Sequence, residues 1–290
     1  MILKYILTAI LIIISAPILG GILTGIDRIL TARMQRRKGP PLLQPFYDVG
    51  KLLQKQSTTV NKLTRFFITY SLFFVIITTV LFFIGQDILL SVFALTLGSI
   101  FFIIAGYSSS SPYSFEGAER ELLQVMAYEP MVMITAFAFY KVIRSFKVAA
   151  VLSLDKPLIL SLPLIFIGVV YILSFKLRKS PFDLSTSHHG HQELVKGITT
   201  ELTGICLAML EITHWFETIF ALGLVYLFFV WVSPASWVIA LILCLAVFFF
   251  EIVIDNAFAR MKWKLALQTS WIIIFSAGGV NLLLLSLFVK

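Results

Sequence analysis

The sequence predicts an all-α protein that crosses a membrane about eight times. Hydrophobic residues make up 59% of the 290 positions and charged residues only 13%, whereas soluble domains carry roughly 25% charged residues. Mean hydropathy is +0.96, and apolar runs of about 20 residues, the length of a helix that spans a bilayer, recur along the chain. This composition excludes soluble, disordered and nucleic-acid-binding proteins. We therefore expect one integral membrane domain over residues 1–290.

Each membrane span is predicted from one apolar run. The first run follows Lys4, as in a signal peptide, but it is too long and lacks a small-residue cleavage site, which predicts an uncleaved helix. The sixth run exceeds one bilayer crossing, which predicts a helix that tilts or extends beyond the membrane. Pro130 in the fourth run predicts a kink. The predicted spans are 5–26, 66–84, 88–106, 122–144, 158–175, 198–231, 235–254 and 268–288.

The basic residues predict the orientation of the chain. Most of the 23 Lys and Arg lie in four loops, at about residues 27–65, 107–121, 176–197 and 255–267. Cytoplasmic loops are enriched in Lys and Arg, so these four loops are predicted to be cytoplasmic and both termini to lie outside. The basic residues elsewhere are Lys4, Lys141, Arg144, Lys147, Lys156 and Lys290.

The first cytoplasmic loop combines a cluster of cations with a short amphipathic helix. The basic stretch 28–38 ends at Gly39-Pro40, a turn dipeptide. Four apolar residues beyond it are spaced four, three and four apart, which predicts one face of a helix. Two interpretations fit: an interfacial helix beside lipid headgroups, and a platform that binds another subunit. The four apolar residues are Leu42, Phe46, Val49 and Leu53.

The second cytoplasmic loop is predicted to lead into a charged helix. Glu116 and Arg120 lie four residues apart, which predicts an ion pair on one helical face. Glu119 and Glu121 lie near the N-terminus of the same helix, where the helix dipole favours acidic side chains. No nucleotide-binding loop, catalytic triad or nucleophile elbow is present in the sequence, so we expect no covalent chemistry in this chain.

The third cytoplasmic loop contains a histidine cluster between Asp183 and Glu193. Histidine clusters bind zinc or copper, but this spacing matches no standard zinc site and cysteine ligands are absent. Proton transfer and subunit docking suit histidine near neutral pH, and we favour them over metal. A transmembrane cytochrome is disfavoured because His214 is the only histidine inside a predicted span. The clustered residues are His188, His189 and His191.

Redox centres are predicted to lie outside this chain. The only cysteines, Cys206 and Cys244, both fall in apolar stretches. Two such residues provide neither a disulfide framework nor the ligands of an iron–sulfur cluster. Any redox centre must therefore belong to a partner protein.

Six of the fifteen acidic residues lie in or at the ends of the predicted spans. A carboxylate in the bilayer core is costly, which makes each a candidate functional residue, and no comparable set of Lys or Arg inside the spans is expected to neutralise them. Neighbouring carboxylates cannot all stay ionised, so some are predicted to hold protons and to pass them along. Helix-packing hydrogen bonds and frayed ends are the alternative, above all for Glu217 and Asp255. The six are Glu129, Glu201, Glu211, Glu217, Glu251 and Asp255.

Several motifs, in this order, resemble the subunit 1 family of respiratory complex I. The resemblance runs from about residue 24 to residue 217. It is carried by Ala32-Arg33-Met34-Gln35, Gly39-Pro40, Leu43-Gln44-Pro45, Asp48, Lys51-Leu52, Gly117-Ala118-Glu119-Arg120, Tyr128-Glu129, Pro181-Phe182-Asp183, Glu193-Leu194, Thr200-Glu201 and Gly204.

The third loop and the segment 210–215 look more like the integral membrane subunit of energy-converting group 4 nickel–iron hydrogenases, including the Ech type and formate hydrogenlyase. This resemblance implies a non-catalytic membrane subunit in a prokaryotic plasma membrane. It anchors a soluble arm and couples hydrogen formation, driven by ferredoxin or formate, to movement of H⁺ or Na⁺. The nickel–iron centre and iron–sulfur clusters are expected in soluble large, small and iron–sulfur subunits on the cytoplasmic side. Antiporter-like membrane subunits are expected beside it in the lipid bilayer, and no metal or other cofactor is expected in this chain.

The predicted functional residues form two groups. The resemblance implies that Glu129, Glu193 and Glu201 lie on a carboxylate path into the membrane, with Asp183 at its junction with the arm. The whole predicted proton path is Glu129, Glu193, Glu201, Glu211, His214, Asp183, Glu217, Glu251 and Asp255. The predicted arm-docking interface is Arg33, Gln35, Arg36, Arg37, Gly39, Pro40, Gln44, Pro45, Asp48, Glu116, Arg120, His188, His189 and His191.

Two other functions compete with this interpretation. A quinone-site subunit of a complex I-type NADH or ferredoxin dehydrogenase shares most of the motifs, and the existence of a quinone-like cavity stays open. A stand-alone secondary transporter explains the buried acids but leaves the cationic first loop without a purpose. Inverted repeats, common in transporters, are not visible in this sequence.

Overall fold

The computed structural model describes residues 2–56, 61–186 and 196–288, and these residues are almost entirely helical, with no β-strand among them. The predicted all-α class is confirmed. The helices are α1 (Ile2–Met34), α2 (Gln44–Gln54), α3 (Lys62–Ile84), α4 (Ile88–Tyr107), α5 (Pro112–Ile143), α6 (Val148–Val151), α7 (Pro163–Lys176), α8 (Ile205–Leu227), α9 (Pro234–Ala257), α10 (Trp263–Ile273) and α11 (Val280–Phe288). Short 3₁₀ turns lie at Leu158–Leu160 and Gly197–Thr199, and a π-helical segment, Ile274–Gly279, joins α10 to α11.

Seven helical segments in the described ranges are long and apolar enough to cross a membrane: α1, α3, α4, α5, α8, α9, and α10 together with α11. The fifth predicted span, 158–175, corresponds to α7, which is apolar but has only 14 residues. It is shorter than predicted because the chain forms a separate 3₁₀ turn at Leu158–Leu160 and a new helix begins at Pro163. Proline suits the first turn of a helix, where a missing amide hydrogen costs nothing.

The sixth predicted span, 198–231, is wrong at its start. Helix α8 begins only at Ile205, because Gly204 has a φ of +53° and a ψ of −126°, which no helix accommodates. The residues before it form the turn Gly197–Thr199, which packs on α5. There the hydroxyl of Ser114 donates to the carbonyl of Ile198 at 3.2 Å. The long apolar run is therefore a helix and a separate buried turn, not one tilted or extended helix.

Two predicted loops are largely helical. Helix α1 continues to Met34, so part of the basic stretch 28–38 is an extension of the first span. Helix α5 begins at Pro112 and runs for 32 residues without interruption past Pro130. Most of the predicted loop 107–121 therefore belongs to α5, and its charged residues are rigidly connected to the bundle.

Helices α4, α5 and α8 contribute the largest numbers of buried residues to the core. Phe139, Phe216 and Met131 are among the largest fully enclosed side chains. In contrast, α1 and α9 present rows of exposed Leu, Ile and Phe residues on their outer faces. Apolar outer faces of this kind suit contact with lipid chains, because in a bilayer the surroundings of the bundle are themselves apolar.

The amphipathic helix of the first loop is confirmed as α2, but its buried face differs in part from the prediction. Phe46 and Val49 pack on α8, where the ring of Phe46 lies 5.1 Å from that of Trp215 between centroids. Leu42 and Leu53 are exposed and Leu52 is packed instead, because α2 starts only at Gln44 and its buried face follows a spacing of three. One side of α2 is thus packed within the chain, and the other side, which exposes Tyr47, Lys51, Leu53 and Gln54, is left for lipid headgroups or a partner.

The close approach of α1 to the segment before α2 provides a stability test. A Cβ at Gly25 would lie 2.1 Å from the carbonyl oxygen of Leu42, whereas a Cβ at Gly50 of α2 would meet nothing within 4 Å. Gly25→Ala should destabilise the protein because backbone has to move, and Gly50→Ala should be neutral or stabilising by up to about 1 kcal/mol because alanine favours helix. Thermal unfolding of both variants in detergent checks this difference. Equal stability of the two variants would contradict the packing of α1 on this segment.

Candidate functional site

Charged side chains from four helices meet at the C-terminal end of α7. We call residues 174–180 the α7 terminal segment. It carries three cations and two serines, and each of these five residues contacts a carboxylate on another helix. The contacts are Ser174 with Glu251 at 2.5 Å, Lys176 with Glu217 at 3.4 Å, Arg178 with Glu121 at 3.0 Å, Lys179 with Asp27 at 2.8 Å, and the backbone amide of Ser180 with Asp255 at 2.8 Å.

These cations are largely buried. The side chain of Lys176 is 10% exposed, that of Arg178 is 15% exposed and that of Lys179 is 6% exposed. A buried charge is costly unless an opposite charge and hydrogen bonds compensate for it, and removing one partner of such a pair is strongly destabilising. The α7 terminal segment therefore ties α1, α5, α8 and α9 together through its charges.

The sequence-based expectation that no Lys or Arg would neutralise the buried acids was wrong. It failed because residues 176–179 were assigned to a cytoplasmic loop, whereas the chain turns them back into the bundle. Asp27 and Glu121 were not predicted as members of the site, because their partners Lys179 and Arg178 were expected in a loop. The only signal was the run Lys176-Leu177-Arg178-Lys179 directly after an apolar helix, and such a run is also typical of an exposed loop.

Three of the predicted path residues meet at the α7 terminal segment. Glu217 is 7% exposed, and Glu251 is fully buried. Ser174 donates to one carboxylate oxygen of Glu251, while the other oxygen, Oε1, has no hydrogen-bond partner among the described residues. Asp255 lies one turn from Glu251 on α9, as predicted. Asp183, just beyond the segment, lies 3.6 Å from Arg260.

The other predicted path residues lie at different places. Glu211 and His214 are half-buried on α8, one turn apart. Glu129 is half-buried on α5 and accepts a hydrogen bond from Thr96 of α4. Glu201 is exposed in the turn before α8, so its predicted position inside a span was wrong for the same reason as the start of that span. Glu193 lies outside the described residues.

A cavity of about 660 Å³ lies beside the α7 terminal segment, between α1, α8 and α9. Its wall combines apolar side chains with many charged ones, so it offers contacts for water and ions as well as an apolar surface. It brings the predicted residues Glu211, His214 and Asp255 to one space. The charged and titratable residues of its wall are Asp27, Arg28, Arg37, Lys176, Arg178, Lys179, Lys196, Glu211, His214 and Asp255.

The predicted docking residues divide into exposed and packed ones. Four at the end of α1 and just beyond it are exposed: Arg33, Gln35, Arg36 and Arg37. Gly39, Pro40 and Gln44 are half-buried and Pro45 is buried. Gly39 lies against α1, where a Cβ would be 3.1 Å from the Cα of Ile29, so close packing is one reason for glycine there. The exposed group leaves a basic surface at the end of α1.

The remaining docking residues are a predicted ion pair and the histidine cluster. Glu116 and Arg120 do form the predicted pair, at 3.3 Å, with Arg120 mostly buried and Glu116 exposed. The cluster, His188, His189 and His191, lies outside the described residues.

Asp48 connects α2 to α1. Its carboxylate accepts hydrogen bonds from Arg28 of α1 at 2.7 Å and from Gln44 at 2.8 Å. Partial burial by itself raises the pKa of Asp48, but these two bonds and the nearby positive charges outweigh it and lower the pKa below its usual value. Asp48 is therefore ionised at neutral pH and holds α2 against the end of α1.

Within residues 2–56, 61–186 and 196–288, no three His, Cys, Asp or Glu side chains are grouped closely enough to hold a metal ion. Cys206 and Cys244 are both buried and unbonded to each other, one on α8 and one on α9. This part of the chain does not offer the ligands of a nickel–iron or iron–sulfur centre. That no metal binds anywhere in the chain stays a prediction.

Comparisons with known proteins agree over nearly the whole chain. The family described as NADH dehydrogenase matches residues 6–286. Hydrogenase-4 component C of Escherichia coli (strain K12) is 25% identical over 281 residues, 88% of each chain. NADH-ubiquinone oxidoreductase chain 1 of Arabidopsis thaliana is 30% identical over 239 residues, 74% of this chain and 73% of that protein. A solved chain of the membrane-bound sulfane sulfur reductase, an archaeal respiratory membrane complex, has a TM-score of 0.87 at 25% identity and covers 97% of this chain and 99% of its own length.

The Asp48 contact predicts a specific pH dependence. Because the folded-state pKa is lowered, the contact stabilises the protein above the unfolded pKa of about 4, and this stabilisation is lost as pH falls through the folded value. Wild-type protein should therefore lose more thermal stability between about pH 6 and pH 3 than Asp48→Asn, which has no charge to lose. Melting temperatures across this range measure the difference. Parallel pH profiles of the two proteins would contradict the assigned contact.

Proposed function

The chain belongs to the NADH dehydrogenase family of membrane subunits, which includes subunit 1 of complex I, and we propose that it anchors and couples an energy-converting nickel–iron hydrogenase to ion movement. Its relatives are subunits of multi-subunit membrane respiratory complexes. The observation that carries the coupling role is the α7 terminal segment, where five carboxylates contact three buried cations and two serines beside a large cavity with many charged residues in its wall.

Two features support a hydrogenase as the assembly. The third loop and residues 210–215 resemble the membrane subunits of group 4 hydrogenases more than those of the quinone-dependent enzyme. Hydrogenase-4 component C is also among the relatives of this chain, at 25% identity. In this proposal the complex reduces protons to hydrogen with electrons from ferredoxin or formate, in a prokaryotic plasma membrane.

The chemistry of electron transfer belongs to partner subunits. Soluble large, small and iron–sulfur subunits carry the nickel–iron centre and the clusters on the cytoplasmic side, and antiporter-like subunits lie beside this chain in the bilayer. Arg33, Gln35, Arg36 and Arg37 form the exposed basic surface to which the arm attaches. Helix α2 is fixed to α1 by Arg28 and Asp48 and to α8 by its apolar face. A displacement of the arm at the end of α1 is therefore transmitted to α8 through α2.

The proposed coupling uses the protonation states of the buried acids. Water in the large cavity reaches Glu211, His214 and Asp255 at its wall. Glu217 and Glu251 lie behind them against the α7 terminal segment. Adding a proton to one acid removes its attraction for the neighbouring cation. The change in charge at one carboxylate therefore alters how strongly the next carboxylate holds its own proton. Both termini lie outside the cell in this arrangement.

One observation favours a second function, that of a quinone-site subunit in a complex I-type dehydrogenase. The cavity of about 660 Å³ falls within the range of small-molecule binding sites. Relatives of this chain include NADH-ubiquinone oxidoreductase chain 1. The stand-alone transporter is less well supported, because the relatives named above are subunits of larger complexes.

Affinity purification with metal analysis tests the proposed assembly. The chain is tagged, extracted from its own membranes with a mild detergent, and the co-purifying proteins and metals are quantified. We expect several soluble subunits together with nickel and iron. Iron without nickel would contradict the hydrogenase and favour the quinone-site subunit or a relative of the sulfane sulfur reductase. A folded chain that purifies alone without metal would contradict both and support the transporter.

A further inference from the structure

The exposed side of α2 and the beginning of α3 belong to one region of the protein. Val49 of α2 packs with Ala208 of α8 in a small buried cluster. The hydroxyl of Thr69 on α3 donates a hydrogen bond to the sulfur of Met209 at 3.7 Å. Since Ala208 and Met209 are consecutive residues, α2 and the first two turns of α3 lie beside α8 at the same height.

Four exposed cations lie in this region, and we call them the α2–α3 basic patch: Lys51, Lys55, Lys62 and Arg65. Between positions 28 and 86 the sequence contains a single acid, Asp48, and Arg28 of α1 already binds it. Among residues 2–56, 61–186 and 196–288, none of the four cations forms an ion pair. The patch therefore keeps a net positive charge that faces outwards.

Large apolar side chains adjoin these cations on the outer surface. On α3, three rings follow Lys62 at intervals of four, four and three residues, so they share its helical face. These rings, which are between 40% and 52% exposed, are Phe66, Tyr70 and Phe73. On α2, the exposed ring of Tyr47 lies one turn before Lys51. Cations and aromatic rings at the end of a membrane span are typical of the boundary between lipid headgroups and acyl chains.

Phospholipid fits this surface better than a soluble partner does. Helix α3 is long and apolar enough to cross a membrane, so Tyr70 and Phe73 lie on a membrane span, where a soluble protein does not reach them. Acyl chains complement these rings. Anionic headgroups complement the charge of the patch, because clusters of about four to eight Lys or Arg next to a membrane helix bind anionic lipids. Anionic phospholipid therefore satisfies both parts of the surface.

We propose that the α2–α3 basic patch binds the headgroups of anionic phospholipids, whose acyl chains lie along the exposed rings of α3. The headgroups hold the outer side of α2, while Asp48 and Val49 hold its inner side against α1 and α8. Anionic lipid thus helps to fix α2 in the bundle. The inference goes beyond the proposed function and applies equally to a hydrogenase and to a quinone-dependent complex.

Lipid retention by the purified protein tests this site. The tagged chain, with the subunits that co-purify, is washed in detergent micelles that contain equal amounts of phosphatidylglycerol and phosphatidylcholine, and mass spectrometry counts the phospholipids that stay bound. Wild type should retain phosphatidylglycerol in excess. Replacing all four cations of the patch by glutamine should lower the bound ratio of phosphatidylglycerol to phosphatidylcholine at least about fivefold, which is roughly the effect of one surface cation. The variant combines Lys51→Gln, Lys55→Gln, Lys62→Gln and Arg65→Gln.

A matched control removes three lysines and one arginine that are exposed elsewhere on the chain. It combines Lys4→Gln, Arg144→Gln, Lys147→Gln and Lys156→Gln. This control should keep the wild-type lipid ratio, and thermal unfolding in detergent verifies that both variants are folded. High salt should remove the phosphatidylglycerol excess of wild type without lowering bound phosphatidylcholine, because salt screens contacts between charges and not contacts of acyl chains.

Three results would overturn the lipid site. The first is equal retention of the two phospholipids by wild type. The second is an unchanged ratio in the patch variant, or an equal fall of the ratio in the control. The third is loss of a co-purifying subunit from the patch variant while phosphatidylglycerol stays bound as in wild type, which would assign this surface to that subunit instead.

Discussion

The burial of three cations at the end of α7 is the constraint on which the rest of the structure depends. Lys176, Arg178 and Lys179 are tolerated inside the bundle only because acids from other helices reach them. Each pair fixes one neighbouring helix at a definite height relative to α7.

The same arrangement connects the surface of the protein with its interior. Helix α1 carries the exposed cations at one end and Asp27 a little earlier, where Lys179 binds it. Helix α2 is held between α1 and α8 by the Asp48 contact and by Phe46 against Trp215. A partner that docks on the exposed cations of α1 is therefore connected to the α7 terminal segment through α1 itself and the contact of Asp27 with Lys179. The large cavity lies between α1, α8 and α9. A displacement of one of these helices therefore changes the shape of the cavity and the distances between the charged residues of its wall.

The sequence predicted most of the helices because apolar runs and the spacing of apolar residues depend only on local order. It also placed six acids in or at the ends of long apolar stretches, and two of them, Glu217 and Glu251, are buried, whereas Asp255 is half-buried. The prediction failed where the backbone conformation of one residue sets the start of a helix. The positive φ of Gly204 makes α8 begin at Ile205, so Glu201 lies before the helix and not inside it. The prediction failed again at Lys176 and its neighbours, because a basic run after an apolar helix looks the same whether it faces water or folds back onto acids of distant helices.

The most direct test of the account is the number of protons taken up per hydrogen formed when Glu129 is replaced by glutamine. Glutamine can still accept the hydrogen bond from Thr96, but it cannot carry a proton. In vesicles with the intact complex, Glu129→Gln should form hydrogen while losing most proton uptake, and Asp155→Asn, at an exposed acid between α6 and α7, should behave like wild type. Undiminished proton uptake in Glu129→Gln would contradict a path through the buried carboxylates.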